Sequence, residues 1–484
     1  MSQLVLPIHL HDQKNSFPTE RVTRREPLPK AYLDRLVFLL SQNLDFCDNR
    51  HNKNHKSHSF HSFPAKFPPE LPRKFIQELT VPGETVLDPM SGSGTTIVEA
   101  VLTRRQGIGF DIDPLALLII HVKVGQYNQK DMKRIGNRIL LQATNTLVSQ
   151  KAELGEQLKT RWDKKTQEFI NYWFAAETQL ELLALITEIE HIEDPTIRAF
   201  FELIFSAIII TKSGGVSLAL DLAHTRPHRA KVVKSTRGDI VLAEDLRNAS
   251  PRRKGILTKT LRSPIEEFGK RFQQNIEHIL ESTGKEFLPH IERGNAQALP
   301  LHDASVDLIV TSPPYASNAI DYMRAHKFSL VWLGYTIDEL SQRRKRYIGG
   351  ESIAGVQFEE LPHSVANIVS EVARVNKKKG QAVLRYYSEM TRTLREMFRV
   401  LKPGKAAIVV VGNSILSGKD IHIHTCLADI GTSLGFQVPK IGIRQLDRNR
   451  RMMPVGFHVD VNSMIQRRMH EEYVVGFYKP EDER

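Results

Sequence analysis

Two hydrophobic rhythms alternate along this chain. Short apolar runs bounded by Gly, Pro or Asp read as buried strands: "TVLD" (Thr85 to Asp88), "GIGFD" ending on Asp111, "VDLIVT" (Val306 to Thr311) and "AAIVVVGN" (Ala406 to Asn413). Near-continuous apolar runs of this kind suit a sheet covered on both faces. "HIERGNA" contributes a further strand, and "GFQVPKIGIR" with "EYVVGFYK" reads as a final antiparallel pair. Between these runs, apolar residues recur at helical spacing in "TTIVEAVLTRRQ", "FINYWFAAETQLELLALITEIEHI" and "EEFGKRFQQNIEHILEST". "TIRAFFELIFSAIIITKSG" is a helix started by "EDPT", and "LREMFRVLKPGK" is a helix ended by Pro403 and Gly404. The predicted class is α/β, with a doubly wound sheet.

The strands are not evenly spread. The stretch after Asp111 and before "HIERGNA" is far too long for a loop and mostly helical in pattern. The expected organisation is an N-terminal arm over 1–55, a core over 56–128, and a mainly helical insertion over 129–288. The core resumes over 289–315, a second insertion covers 316–380, and the core closes over 381–484. In the second insertion, "DYMRAHKFSLVWLG" places Tyr322, Phe328 and Trp332 among Leu and Val at helical spacing, which reads as core filling.

Composition narrows the class. The 484 residues are 41% hydrophobic and 7% aromatic, ordinary for a globular protein. No run of about 18 apolar residues suggests a membrane span, and the N-terminus lacks the pattern of a signal peptide. Cys47 and Cys426 supply neither a disulfide framework nor a zinc quartet, so a cytoplasmic protein is expected. The histidine-rich "HNKNHKSHSFH" lacks the cysteines of a zinc site and reads as a flexible polar arm, so no metal is expected. Formal net charge is +12, and Arg226 to Arg262 holds eleven Lys or Arg against three Asp or Glu. A patch of that size fits a polyanion.

"LDPMSGSGTT" follows the first strand and opens a helix, and the next strand ends on Asp111. This β–loop–α–β unit lets Gly92 and Gly94 bring the backbone close to a ligand. A P-loop would need a Lys before the Ser or Thr, and none is there. A dinucleotide loop would need a third glycine, also absent. A carboxylate at the position of Asp111 suits vicinal ribose hydroxyls.

The segment resembles the cofactor loop of S-adenosylmethionine-dependent DNA amino-methyltransferases, with Met90 where phenylalanine is usual. "HSFPAKFPPELPRKFIQEL" (His61 to Leu79) is similar to that family's companion motif, and "TSPPY" contains its catalytic tetrapeptide, Ser312 to Tyr315. The resemblance implies a Rossmann-like, seven-stranded class I methyltransferase sheet with S-adenosylmethionine as cofactor. Lys66, Phe67, Asp88, Pro89, Met90, Ser91, Gly92, Ser93, Gly94, Thr95, Asp111 and Ile112 would then line the cofactor site. Asn295 and Ala296 would contact its adenine, Asn295 standing where the family usually has Asp.

An exocyclic base amine is a poor nucleophile because its lone pair is delocalised into the ring. Acceptors such as the Ser312 hydroxyl and the Pro313 carbonyl can draw its hydrogens and turn the lone pair toward the methyl donor. Pro313 and Pro314 keep those acceptors stiff, and Tyr315 offers a ring for a flipped base. Cytosine C5 methylation would need a Pro-Cys thiolate, which neither cysteine supplies. Serine at the first position of the tetrapeptide is commoner among N4-cytosine enzymes of the family, with N6-adenine as the alternative. An RNA or tRNA base-amine methyltransferase and a non-catalytic nucleic-acid-binding protein on the same fold stay open. The implied partner is double-stranded DNA, with a restriction endonuclease as a further partner. Arg252, Arg253 and Lys254 in the first insertion, Arg343, Arg344 and Arg346 in "RRKR", and "RNRR" at 448–451 are candidate phosphate contacts.

Overall fold

Alternate residues of the apolar runs face opposite ways, and each face finds its own helices. The computed structural model describes residues 29–46, 55–64, 66, 68–222, 227–246, 250–279, 287–316, 321–350, 352–412, 414–416, 419–446 and 471–481. Along the chain, α1 (Tyr32–Ser41) and α2 (Glu70–Leu79) precede β1 (Thr85–Asp88), followed by α3 (Thr95–Leu102), β2 (Gln106–Asp111) and α4 (Pro114–Val124). The first insertion carries α5 (Gln129–Ser149), α6 (Lys151–Thr160), α7 (Lys164–Trp173), α8 (Ala176–Glu190) and α9 (Pro195–Ile209). A small sheet of β3 (Val232–Lys234), β4 (Ile240–Ala243) and β5 (Thr258–Thr260) follows, with α10 (Pro251–Leu257) and α11 (Pro264–Ile276). The chain then gives β6 (His290–Arg293), β7 (Val306–Thr311), α12 (Tyr322–Leu330), α13 (Ile337–Lys345), α14 (His363–Val375) and α15 (Lys377–Val400). It closes with β8 (Leu401–Gly412), the short pair β9 (Ile415–Leu416) and β10 (Lys419–Asp420), α16 (Ile423–Ser433), β11 (Gln437–Gln445) and β12 (Glu471–Tyr478).

Seven strands form the main sheet in the order β11-β12-β8-β7-β1-β2-β6. The five from β8 to β6 run parallel, and β12 lies antiparallel between β8 and β11. This is the doubly wound class I methyltransferase sheet, with the final antiparallel pair inserted beside β8. Val86, Leu308, Val310, Ile408 and Val410 face α1 and α2, while Leu87, Ile309, Val409 and Val411 face α15 and α16. The winding reverses at β1, whose neighbours are β2 and β7. Ligands of open α/β sheets bind outside the strand ends at such a point.

Three expectations are corrected. Residues 32–41, read as arm, form α1, and Leu36, Leu39 and Leu40 are buried against the sheet. Close approach needs glycines beneath the helix: a Cβ on Gly476 would lie 2.5 Å from Leu40 Cδ1, and one on Gly442 2.9 Å from the Leu40 carbonyl. Within the histidine-rich stretch, Lys56–Ser59 is a 3-10 turn, Phe60 is buried, and His61 Nε2 lies 2.9 Å from Ser206 Oγ. Packing rather than polarity decides those residues. Pro403 and Gly404 do not stand outside β8; they form a bulge in it, with the partners of Val306 and Leu308 jumping from Leu401 to Ala406. Gly404 has φ +73°, which glycine tolerates.

The two insertions are not separate bodies. Phe328 and Trp332, both fully buried, belong to the core that holds α5, α8, α9 and α11 together. The Trp332 ring meets Trp162 edge-on at 5.1 Å and Phe174 at 5.5 Å. Trp162 Nε1 donates to the Val331 carbonyl at 2.9 Å. Tyr322 departs from the core-filling expectation and stacks on Phe63 at the site instead, with ring centroids 5.1 Å apart. Trp332→Ala should cost about 3–5 kcal/mol. In urea denaturation with hydrogen exchange, protection should fall in α7–α9 as well as in α12; loss confined to α12 would mean separate cores.

Candidate functional site

Parallel pairing of β1 with β7 sets Val86 beside Leu308 and Leu87 beside Ile309, so the loops leaving both strands emerge side by side. After β1 the chain turns sharply. Ser91 N–H donates to the Phe110 carbonyl at 2.9 Å, Gly94 N–H to the Ser91 carbonyl at 2.7 Å, and Ser91 Oγ to the Asp88 carbonyl at 2.8 Å. Gly92 and Gly94 have φ +50° and +73°, the left-handed region that favours glycine. A Cβ on Gly94 would sit 2.7 Å from Ile120 Cγ1, so α3 can start this close to α4 only with glycine there. Thr96 Oγ1 donates to the Val310 carbonyl at 3.0 Å, tying α3 to β7.

Asp111 braces the loop from the end of β2. Its Oδ2 accepts Gly92 N–H at 2.7 Å and its Oδ1 accepts Asp113 N–H at 2.9 Å. Burial, helped by Asp113, pushes the Asp111 carboxyl up to about 6, and burial pushes Asp88 up to about 7. Asp113 goes the other way. Burial works to raise it, but the His326 imidazole and the hydrogen bonds it receives outweigh that and hold it low. His326 Nδ1 lies 2.7 Å from Asp113 Oδ2, and Tyr347 OH donates to the same oxygen at 2.8 Å. Beneath the loop, the buried Lys123 donates to the Ser93 carbonyl at 2.6 Å, and burial depresses its pKa strongly.

A cavity of about 700 Å³ opens over these strand ends. Lys66, Asp88, Pro89, Met90, Ser91, Gly92, Ser93, Thr95, Asp111, Ile112, Asn295, Ala296, Ser312 and Pro314 line it. Gly94 stands behind, at the start of α3, and Phe67 lies outside the described residues. The Asn295 Oδ1 already accepts Gln297 N–H at 3.1 Å. Of the tetrapeptide, Ser312 and Pro314 face the cavity, and Pro313 and Tyr315 are buried. The Tyr315 ring is only 8% exposed, and its hydroxyl lies 3.4 Å from Glu472 Oε1, so no stacking face is presented here. Sequence reading missed Phe63, Asp113, Tyr322, Arg324 and Arg385, which also line the cavity. "DIDP" carried a usable signal for Asp113, which caps α4 ahead of Pro114; nothing local marked Arg385.

The basic residues divide. Arg252, Arg253 and Lys254 are exposed on α10. Other members of that block are engaged: Arg229 and Lys231 face Glu244, and Lys259 Nζ donates to the Ser213, Ser217 and Ala219 carbonyls. Arg343 pairs with Glu339 at 2.7 Å, whereas Arg344, paired with Asp321, and Arg346 line the cavity. "RNRR" lies outside the described residues. No cluster of metal-binding side chains occurs among the described residues, and none of their helices is long and apolar enough to cross a membrane.

A glycine-cradled loop, two buried carboxylates and a Pro-Pro tetrapeptide meet in one cavity at the sheet's reversal point, where ligands of such sheets bind. The N6/N4 DNA methylase family profile matches residues 15–121. The type II methyltransferase M.BsoBI of Geobacillus stearothermophilus is 24% identical over 427 residues, covering 78% of this chain and 77% of the relative. M.MvaI of Kocuria varians, also a type II methyltransferase, is 22% identical over 370 residues, covering 72% and 75%. A TehB-like SAM-dependent methyltransferase from Corynebacterium glutamicum aligns over 84% of this chain and 86% of its own, at 7% identity and a TM-score of 0.26. Residues 15–121 thus match the N6/N4 DNA methylase family, and the long relatives to which the chain is similar are type II methyltransferases.

The cavity suits S-adenosylmethionine, the cofactor that the three motifs imply. Its volume lies within the range of small-molecule sites. The loop has no Cβ where φ is positive, and the raised carboxyls of Asp88 and Asp111 are ready to ionise against a cationic ligand. Affinity for S-adenosylmethionine should therefore fall as pH is lowered from about 8 to about 5.5. Asp88 takes its proton near 7 and Asp111 near 6, and each protonation removes a favourable charge. Isothermal titration across that range would check this; a flat profile would show that neither carboxylate meets the ligand's charge.

Proposed function

We propose that this chain transfers a methyl group from S-adenosylmethionine to the N4 amine of a cytosine flipped out of double-stranded DNA. The observation that carries the reading is that Ser312 and Pro314 share one cavity with the Asp88–Thr95 loop and Asp111. Acceptors for an amine thus stand beside acceptors for a cationic donor. The choice of cytosine rests on serine at position 312, the residue commoner among N4-cytosine members of the family. In this reading Asp111 accepts from the ribose hydroxyls, Ile112, Asn295 and Ala296 flank the adenine, and Lys66 and the loop hold the methionine end. When bound, the cofactor supplies an electrophilic methyl on a sulfonium.

The chain's own residues act on the amine. Ser312 Oγ and the Pro313 carbonyl accept its hydrogens, which localises the nitrogen lone pair. The two prolines keep these acceptors from reorganising during the step. For Tyr315 to stack on the extruded base, its ring has to leave the buried position beside Glu472. Arg344 and Arg346 stand at the cavity, and exposed Arg252, Arg253 and Lys254 supply phosphate contacts that carry affinity without sequence information. Sequencing DNA of a methylation-free host that expresses the chain, with direct detection of modified bases, tests the reading. N4-methylcytosine in a fixed motif is expected. N6-methyladenine would move the target to adenine, and unmodified DNA would overturn the activity.

Asp111→Ala should weaken S-adenosylmethionine binding by about 1.5–3 kcal/mol, since it removes a charged acceptor and the brace on Gly92. Ser312→Ala should lower the single-turnover rate while leaving DNA affinity nearly unchanged. Tyr315→Ala should also impair base capture, by about 1–3 kcal/mol, and Tyr315→Phe should be much milder because the ring remains. A fluorescent base analogue at the target position reads both; equal loss in the two tyrosine variants would assign the role to the hydroxyl. Neutralising Arg252, Arg253 and Lys254 together should weaken DNA binding on all sequences and flatten its salt dependence by roughly one unit of slope per lost contact.

A further inference from the structure

The outer wall of the cavity is a turn that does little to hold itself. Lys345 to Gly350, leaving the end of α13, line the cavity along with Ser352. Within the turn, Arg346 N–H reaches back to the Arg343 carbonyl at 3.0 Å and Gly350 N–H to the Tyr347 carbonyl at 3.3 Å. Its firmer attachments come from elsewhere in the fold. Arg385, on α15, donates through Nη2 to the Lys345 carbonyl at 3.1 Å and the Tyr347 carbonyl at 3.0 Å, and through Nη1 to the Ser352 carbonyl. Its Nε donates to Glu389 Oε1 at 2.8 Å, one helical turn along. Glu389 Oε2 in turn accepts Gly349 N–H at 2.8 Å. Both side chains are buried, 3% and 4% exposed. Gly350 completes the fit, since a Cβ there would lie 2.8 Å from Arg385 Nη1.

A buried ion pair is costly unless its remaining donors and acceptors are satisfied. Here the backbone of one turn satisfies them. The pair therefore acts as a clasp, with the turn as the object it holds. On its other side the turn is tied to the cofactor end of the cavity, where Tyr347 OH bonds Asp113, two residues beyond Asp111.

We propose that Arg385 and Glu389 are positioning residues for the methyl donor, holding the Lys345–Gly350 turn as the outer wall of its cavity. This rests on the methyl-donor reading of the site. Neither residue needs to touch the reacting atoms. Without Arg385, three part-buried carbonyls lose their donor and Glu389 Oε1 loses its ion partner, so the turn relaxes toward water and the cavity opens on that side.

The test uses the full chain, with S-adenosylhomocysteine as the binding probe and hydrogen exchange read over 343–350. Arg385→Ala should speed exchange in that turn and weaken S-adenosylhomocysteine binding on the order of tenfold. The KM for S-adenosylmethionine should rise in proportion, with kcat at saturating cofactor and DNA changed much less. Arg385→Lys, which keeps the charge beside Glu389 but not the fork, should fall between. Glu389→Gln, which keeps an acceptor for Gly349, should be mild. If Arg385→Ala does not fold, Tyr347→Phe releases the other attachment and should raise KM in the same way. Unchanged exchange in the turn would overturn the clasp. Faster exchange with unchanged affinity and KM would overturn its role for the cofactor. A wild-type chain that bound no S-adenosylhomocysteine would overturn the methyl-donor reading, and the exchange data would still decide the clasp.

Discussion

The parallel pairing of β1 with β7 is the constraint on which the site depends. Both strands are buried almost throughout, and both end at the same edge of the sheet. Because β2 lies on one side of β1 and β7 on the other, the crossovers leave that edge open rather than covering it. The glycine loop and the tetrapeptide, far apart in sequence, thereby become the two sides of one cavity. Any slip of one residue in that register would turn Leu308 and Val310 from the α1–α2 face to the α15–α16 face. The hydrophobic layers therefore hold the relative height of the two loops.

The same edge is electrostatically costly for the chain by itself. Asp88 and Asp111 titrate near 7 and 6, against an ordinary value of 3.8. Between 3.8 and those values the folded chain keeps protons that the unfolded chain has released, so stability falls as pH rises through that window. A ligand that brings positive charge relieves this cost and is favoured at neutral pH. Strain of this sort is a common mark of a binding site.

The insertions serve the sheet as well as extending it. Trp332, Phe328 and Met323 bring the second insertion into the core of the first, and Phe60 brings in the segment ahead of the companion motif. One apolar mass thus supports Phe63, Tyr322 and His326 at the cavity's side, while α15 holds the turn over its front. Basic residues left exposed on α10 project from the first of these insertions.

Local order was legible in the sequence because it obeys local rules. Strand-length apolar runs, the glycines of "SGSG" at positive φ, Pro at the start of α4, α9, α10 and α11, and the Pro-Pro of the tetrapeptide each follow from the backbone's own preferences. The resemblance of three motifs implied the cofactor and the class of the sheet. What the sequence could not carry was which way a side chain turns once distant segments meet. Tyr315, read as a ring for the flipped base, is buried beside Glu472, whereas Tyr322, read as core filling, lines the cavity. The residues read as an arm became α1 because Gly442 and Gly476, four hundred residues on, leave room for it. Arg385 looked like any arginine on a long helix; only the fold brought three backbone carbonyls to its fork. Periodicity and turn chemistry are properties of neighbours in the chain, so the sequence determines them alone. Burial, ion pairing and cavity walls are properties of neighbours in space, and the tertiary structure decides those.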